Sequence, residues 1–246
     1  MSISSGTTPE GTQTEEQASR WVRGMFSEVA PRYDLLNHLL SANIDKYWRN
    51  QTVARLKPYL NRPGVKALDI CCGTGDMTML LERATGVAAL GSDFCHPMLI
   101  EAGRKFRAGK LQSPLFEADG LKLPLRDGSV DVVTVAFGFR NFANYRQGID
   151  EMLRVLKPGG AAAVLEFTQP PNAAFRSVYN FYSTRVLPVI GGIISGSPKA
   201  YQYLPESVRK FPGALELAQE MSAAGFKTVE FHYMTFGIVA LHLAVK

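Results

Sequence analysis

The chain is poor in cysteine, with Cys71, Cys72 and Cys95 the only three in 246 residues. None has C-x-x-C spacing and two are adjacent, which excludes a disulfide framework and a zinc site and leaves reduced thiols in a cytoplasmic protein. No metal is implied. No apolar run approaches the roughly 20 residues of a bilayer span, and no signal-peptide core opens the sequence. Cationic blocks are also missing: 27 Lys and Arg against 22 Asp and Glu give a formal charge of +5 and a pI near 9.1, spread along the chain. That excludes a nucleic-acid surface of clustered cations and interleaved aromatics, but it permits attraction to an anionic surface. With 46% hydrophobic residues the chain can bury a full core, and one domain with additions is expected.

A further absence is more informative. The run Asp69 to Thr78, D-I-C-C-G-T-G-D-M-T, reads as a buried strand, a glycine turn and a helix start. A dinucleotide turn would read G-x-G-x-x-G, and the third small residue is lacking here. In its place the turn carries acids, Asp69 inside the strand and Asp76 after it, where a pyrophosphate would have to lie. Gly73, Thr74 and Gly75 therefore suit a nucleoside with a cationic end. Asp93, twenty residues after Gly73 and at the end of the next apolar strand, can bind a ribose hydroxyl pair. Ribose plus a cationic amino acid suggests S-adenosylmethionine.

Residues 1–17 are rich in Ser, Thr, Gly, Glu and Gln and are expected to form a mobile tail. From 18 to 60 the apolar spacing is helical, giving an N-terminal cap in which Tyr33, Asp34, Asn37 and His38 interrupt an apolar stripe. Strands then alternate with helices: 67–71, 87–92, 115–117, 130–136 and 161–167, with a helix over 145–156 stopped by K-P-G-G. This implies a mainly parallel Rossmann-like α/β sheet. Segment 172–213 breaks the pattern and reads as an apolar insertion. A helix over 214–224 and two closing strands, 228–235 and 238–245, read as an antiparallel finish. Ligands of such sheets bind at the carboxyl ends of the strands, which here carry the glycine turn, Asp93, Asp119 with Gly120, and F-G-F-R-N.

Together Y-D-L-L-N (33–37), D-I-C-C-G-T-G-D (69–76), F-G-F-R-N (137–141), Y-x-Y-L-P-E-S (201–207) and G-I-V-A-L-H (237–242) resemble the ubiquinone/menaquinone biosynthesis C-methyltransferases, within the class I S-adenosylmethionine-dependent methyltransferases. The resemblance implies that Thr74, Asp93, Asp119 and Gly120 contact the methyl donor. The residue before F-G-F-R-N, Ser in many members, is Ala136, which removes one side-chain contact. The implied reaction is methylation of a ring carbon of a polyprenylated quinol, a naphthoquinol in preference to a benzoquinol. Arg140 would stabilise the phenolate and Asn141 orient the ring or a water. Water, Asp34 or His38 would accept the proton. Tyr179, Phe181, Tyr182 and Ile190 would hold the tail. The implied partners are the quinol and, transiently, the inner membrane surface; a homo-oligomer is compatible with the sequence. A methyltransferase for another lipophilic acceptor, an NAD-dependent oxidoreductase and a donor-binding module without activity share the same sheet.

Overall fold

The computed structural model describes residues 6–34, 41, 43–186 and 198–246, the side chains of 186 and 198–202 excepted. The helices are α1 (Glu15–Val29), α2 (Ile44–Leu60), α3 (Asp76–Thr85), α4 (His96–Gly109), α5 (Tyr145–Val155), α6 (Ala173–Phe181), α7 (Pro198–Lys210) and α8 (Ala214–Ala224). The strands are β1 (Ala67–Ile70), β2 (Leu90–Asp93), β3 (Leu115–Glu117), β4 (Val130–Ala136), β5 (Leu156–Phe167), β6 (Thr228–Met234) and β7 (Val239–Val245). They form one sheet in the order β3-β2-β1-β4-β5-β7-β6. Only β7 runs against its neighbours, pairing antiparallel with β5 and β6.

Strand alternation divides the core into two layers. Val133 and Val135 of β4 join Tyr145, Ile149 and Met152 of α5 and Leu217 and Met221 of α8 on one face. Val132, next to Val133 along the strand, points to the other face, with Trp48, Val53 and Leu56 of α2 and Met77 and Leu81 of α3. A sheet covered on both sides needs apolar residues at successive positions, which is why β1 and β4 read as near-continuous hydrophobic runs. Sheet order reverses between β1 and β4, so a crevice opens at their carboxyl ends.

Three sequence expectations change. Helix α2 covers a sheet face, so the cap proper is α1 with the turn that follows it. Strand β2 starts at Leu90 and not at 87, because Gly86 ends α3 in the left-handed conformation and leaves Val87 exposed. Helix α1 starts at Glu15, capped by Thr14, whose Oγ1 accepts the Gln17 N–H at 3.2 Å. The described part of the expected mobile tail is docked: Thr7 is buried, its N–H donates to the Phe142 carbonyl at 2.8 Å, and Lys210 Nζ donates to the Thr8 carbonyl at 3.0 Å. Hydrogen bonds hold this stretch, so its lack of apolar residues was a poor guide.

Candidate active site

The polar half of the crevice, expected to take the methyl donor, begins where β1 ends. Cys71 takes φ 53°, and Gly75 caps α3 at φ 88° with its α-carbon facing the Phe106 ring, which a Cβ would meet at 2.4 Å. Only glycine satisfies both demands there. Leu68 and Ile70 point into one core layer, so Asp69 between them points to the opposite face. There its Oδ2 accepts Thr78 Oγ1 at 2.7 Å and its Oδ1 accepts Thr134 Oγ1 at 2.8 Å. Burial, opposed by these bonds, pushes its pKa up to about 6. Asp69, expected at the donor site, braces β1, α3 and β4 together.

Asp93 closes β2. Its Oδ2 accepts the Gly73 N–H at 2.9 Å and its Oδ1 the Cys95 N–H at 2.8 Å. Burial lifts its pKa to about 6, against those two bonds. Each carboxylate oxygen can accept twice, so capacity remains for ligand hydroxyls. Asp119 is exposed after β3, with Oδ1 accepting the Leu121 N–H at 2.9 Å. Gly120 is buried, and a Cβ there would meet Phe142 Cζ at 2.6 Å. Thr74 donates its hydroxyl to Asp34, and Lys105 Nζ lies 2.8 Å from Asp34 and 2.5 Å from Asp76. The acid-lined turn therefore holds a cation of the chain's own. Arg49, paired with Asp45, approaches Asp76 at 3.9 Å and extends the network into α2.

The apolar half is a cavity of about 330 Å³ between the cap, the ends of β4 and β5, α6 and α7. Its wall is aromatic: Trp48 lies 5.9 Å from Phe137, and Phe137 lies 4.8 Å from Phe167, ring centre to ring centre. Arg49 stacks on Phe137 at 5.2 Å and Arg140 on Phe167 at 5.6 Å, so two guanidinium groups flank one hydrophobic wall. Phe137 has φ 63°, and Gly138 follows because a Cβ there would meet Cys71 Cβ at 2.4 Å. That close approach of β1 and β4 is the physical content of the second letter in F-G-F-R-N.

Arg140 is 7% exposed. Its Nη1 donates to the Phe137 carbonyl at 2.7 Å and to Glu166 Oε1 at 2.8 Å, while Glu166 Oε2 accepts the Arg140 N–H at 3.1 Å. Burial works against the charge, but Glu166 outweighs it and keeps the guanidinium protonated. Nη2 makes no hydrogen bond to a described residue. Beside it, a chain of hydroxyls runs from Thr7 through Tyr203 to Asn141: Thr7 Oγ1 and Tyr203 OH are 2.7 Å apart, and Tyr203 OH donates to Asn141 Oδ1 at 3.0 Å. This fixes the amide, and the buried Asn141 Nδ2 has no partner among the described residues. Tyr33 lines the cavity, and its Cε1 is 3.7 Å from where a Cβ on Gly73 would be, so one ring touches both halves.

Asp34 is thus tied to the donor turn and does not line the cavity, while His38, Asn37 and Ile190 lie outside the described residues. Tyr179 and Tyr182 line the cavity as expected, whereas Phe181, on the outer face of its helix, is 66% exposed. The sequence reading missed Glu166, Lys105, Arg49, Tyr203 and Thr7. Glu166 left a local signal, a lone acid inside an apolar strand, and Tyr203 lies in the Y-x-Y-L-P-E-S motif without a role assigned to it.

The family model described as the ubiE/COQ5 methyltransferase family matches residues 12–246. The chain belongs to that family. It is 50% identical over 220 residues to a demethylmenaquinone methyltransferase of Thermus thermophilus, covering 89% of this chain and 98% of that protein. It is 41% identical to the ubiquinone/menaquinone biosynthesis C-methyltransferase UbiE of Geobacter sulfurreducens, covering 92% and 88%. Among solved structures, a methyltransferase described as S-adenosylmethionine-dependent from Thermotoga maritima aligns with a TM-score of 0.65 at 17% identity, over 91% of this chain and 99% of that one. The cyclase SpnF aligns with a TM-score of 0.68 at 17% identity over 99% of both chains, so the fold by itself does not fix the chemistry. Family membership makes this chain a methyltransferase of quinone biosynthesis.

Proposed function

We propose that this methyltransferase moves a methyl group from S-adenosylmethionine to a ring carbon of a polyprenylated naphthoquinol. The observation that carries the reading is Arg140: a buried guanidinium neutralised by Glu166, on the aromatic wall of a cavity that shares Tyr33 with the glycine turn. The donor half fits S-adenosylmethionine in its chemistry. Asp93 retains acceptor capacity for a ribose, Asp119 is exposed to accept from an adenine amino group, and Lys105 holds Asp34 and Asp76 beside the glycine turn. Bound there, the donor supplies an electrophilic methyl group on its sulfonium.

The residues of the chain then have separate tasks. A phenol ionises near pH ~10 in water, and the Arg140 guanidinium lowers that barrier by pairing with the developing oxyanion away from solvent. The phenolate pushes electron density onto the ortho carbon. Asn141 Nδ2, buried and without a partner among the described residues, donates to a ring oxygen or an ordered water. Burial pushes Tyr179 up to about 12 and Tyr203 above its ordinary value, so neither phenol takes the proton. Asp34 is neutralised by Lys105, and we assign the proton to water. The naphthoquinol is favoured by the demethylmenaquinone name of the 50% identical relative.

The test is to incubate the chain with methyl-labelled S-adenosylmethionine and a short-tailed demethylmenaquinol, and to locate the label by mass spectrometry. Label on the ring carbon next to a hydroxyl is expected. Label on oxygen, or no transfer alongside oxidation of NADH, would contradict the reading.

A further inference from the structure

Helix α6 contributes no buried residue, which is unusual in a domain with a two-layer core. Its two faces differ in what they meet. Tyr179 and Tyr182, three residues apart, line the cavity, whereas Val178 and Phe181, also three apart, are each 66% exposed. The β6–β7 hairpin adds to the same surface. Its tip residue Phe236 is 80% exposed, and its ring lies 5.3 Å from Phe175 of α6. Phe236 also has φ 55°, a strained backbone for an aromatic residue that no core packing rewards. Its chain neighbours Thr235 and Ile238 line the cavity, so exposed aromatics and cavity mouth are continuous.

Charge is equally one-sided. From Phe167 to Pro205 the sequence has no Asp or Glu, while it carries Arg176, Arg185 and Lys199. Exposed large apolar side chains among cations, without acids, match a surface that is apolar inside and anionic outside. A protein partner of ordinary composition would not require the acids to be missing over so long a stretch.

We infer that Val178, Phe181 and Phe236, with Arg176 and Arg185, form the face that docks the protein on an anionic bilayer and sets the cavity mouth against the lipid. The inference rests on the proposed quinol substrate, whose prenyl tail resides in the bilayer and must pass that mouth. The full chain docks through α6 and the hairpin tip, and the inner tyrosines receive the ring without its crossing water.

The experiment uses sedimentation of the full-length protein with vesicles of phosphatidylglycerol and phosphatidylcholine in equal parts, and with phosphatidylcholine alone. Wild type is expected to bind the anionic vesicles and to be released by salt. The V178S/F181S/F236S variant, altered only at residues that do not line the cavity, is expected to lose at least about tenfold in partition. It should keep its rate on a short-tailed soluble quinol and lose rate on a long-tailed quinol embedded in the same vesicles. Wild-type vesicle affinity in the variant would overturn the inference, as would equal loss on both quinols or a wild-type dimer that the variant abolishes. Failure of wild type to methylate any quinol would instead remove the proposed reaction, whatever the vesicles bind.

Discussion

The two halves of the crevice are built differently. The donor half is assembled from strand ends and the turns that follow them, and its acids are held by backbone N–H groups or short hydroxyl bonds, as Asp93 is by Gly73 and Cys95. The acceptor half draws on α1, α2, α6, α7 and the hairpin, which have in common only that they meet over the ends of β4 and β5. In the first, sheet topology dictates where a polar group goes. In the second, added segments supply an apolar enclosure, and the ends of β4 and β5 contribute Phe137, Phe167 and Arg140, with Glu166 behind the arginine. A fold shared with a cyclase at a TM-score of 0.68 leaves the chemistry to the segments added around the sheet.

If the halves are separable, damage should stay on its own side. The largest effect is expected from Glu166→Ala, which leaves the buried Arg140 charge without its carboxylate. Loss of one partner of a buried pair costs about 3–5 kcal/mol, to be read as a fall in unfolding free energy in denaturant titration. Asp93→Ala should come next, weakening donor binding by about 1–3 kcal/mol in calorimetry while leaving the acceptor KM unchanged. A matching rise in acceptor KM would break the separation of the halves.

Tyr203→Phe removes the hydroxyl between Thr7 and Asn141. The expected result is a fall in kcat worth about 1 kcal/mol with little change in donor affinity, the scale of one neutral hydrogen bond. The smallest effect concerns Asp69→Asn. Because burial lifts the folded pKa of Asp69 from 3.8 to about 6, protonation favours the fold below the unfolded value, and that contribution is lost as pH rises through the folded one. Wild type should therefore lose stability relative to D69N between those two values, and parallel melting curves would show that Asp69 is not buried in the charged state.

This division also explains what could be read from sequence. Strands β3 and β4 and helix α8 fall at the bounds expected, because apolar period and glycine or proline punctuation are local signals. Asp93 and the glycine turn were legible for the same reason. The Arg140–Glu166 pair spans 26 residues, Lys105 reaches Asp34 across 71, and Thr7 meets Tyr203 across 196. No pattern within one element encodes such partners. The bracing role of Asp69 is hidden in the sequence because its spacing is shared by acids that face a ligand and acids that face the core, and the bonds to Thr78 and Thr134 are visible only in the fold.

The central claim is that Arg140 acts on the acceptor in the chemical step. Arg140→Lys keeps a charge near Glu166 but has one nitrogen, so it loses the Nη2 that can meet the oxyanion while Nη1 holds the Phe137 carbonyl and Glu166. The direct measurement is the single-turnover rate of methyl transfer to a short-tailed quinol, with donor affinity measured on the same preparation. Donor affinity is expected to stay unchanged and the rate to fall by about 10²-fold or more, with the deficit shrinking as pH rises and solvent supplies more phenolate. A near-normal rate, or a loss of rate matched by an equal loss of donor affinity, would contradict that claim.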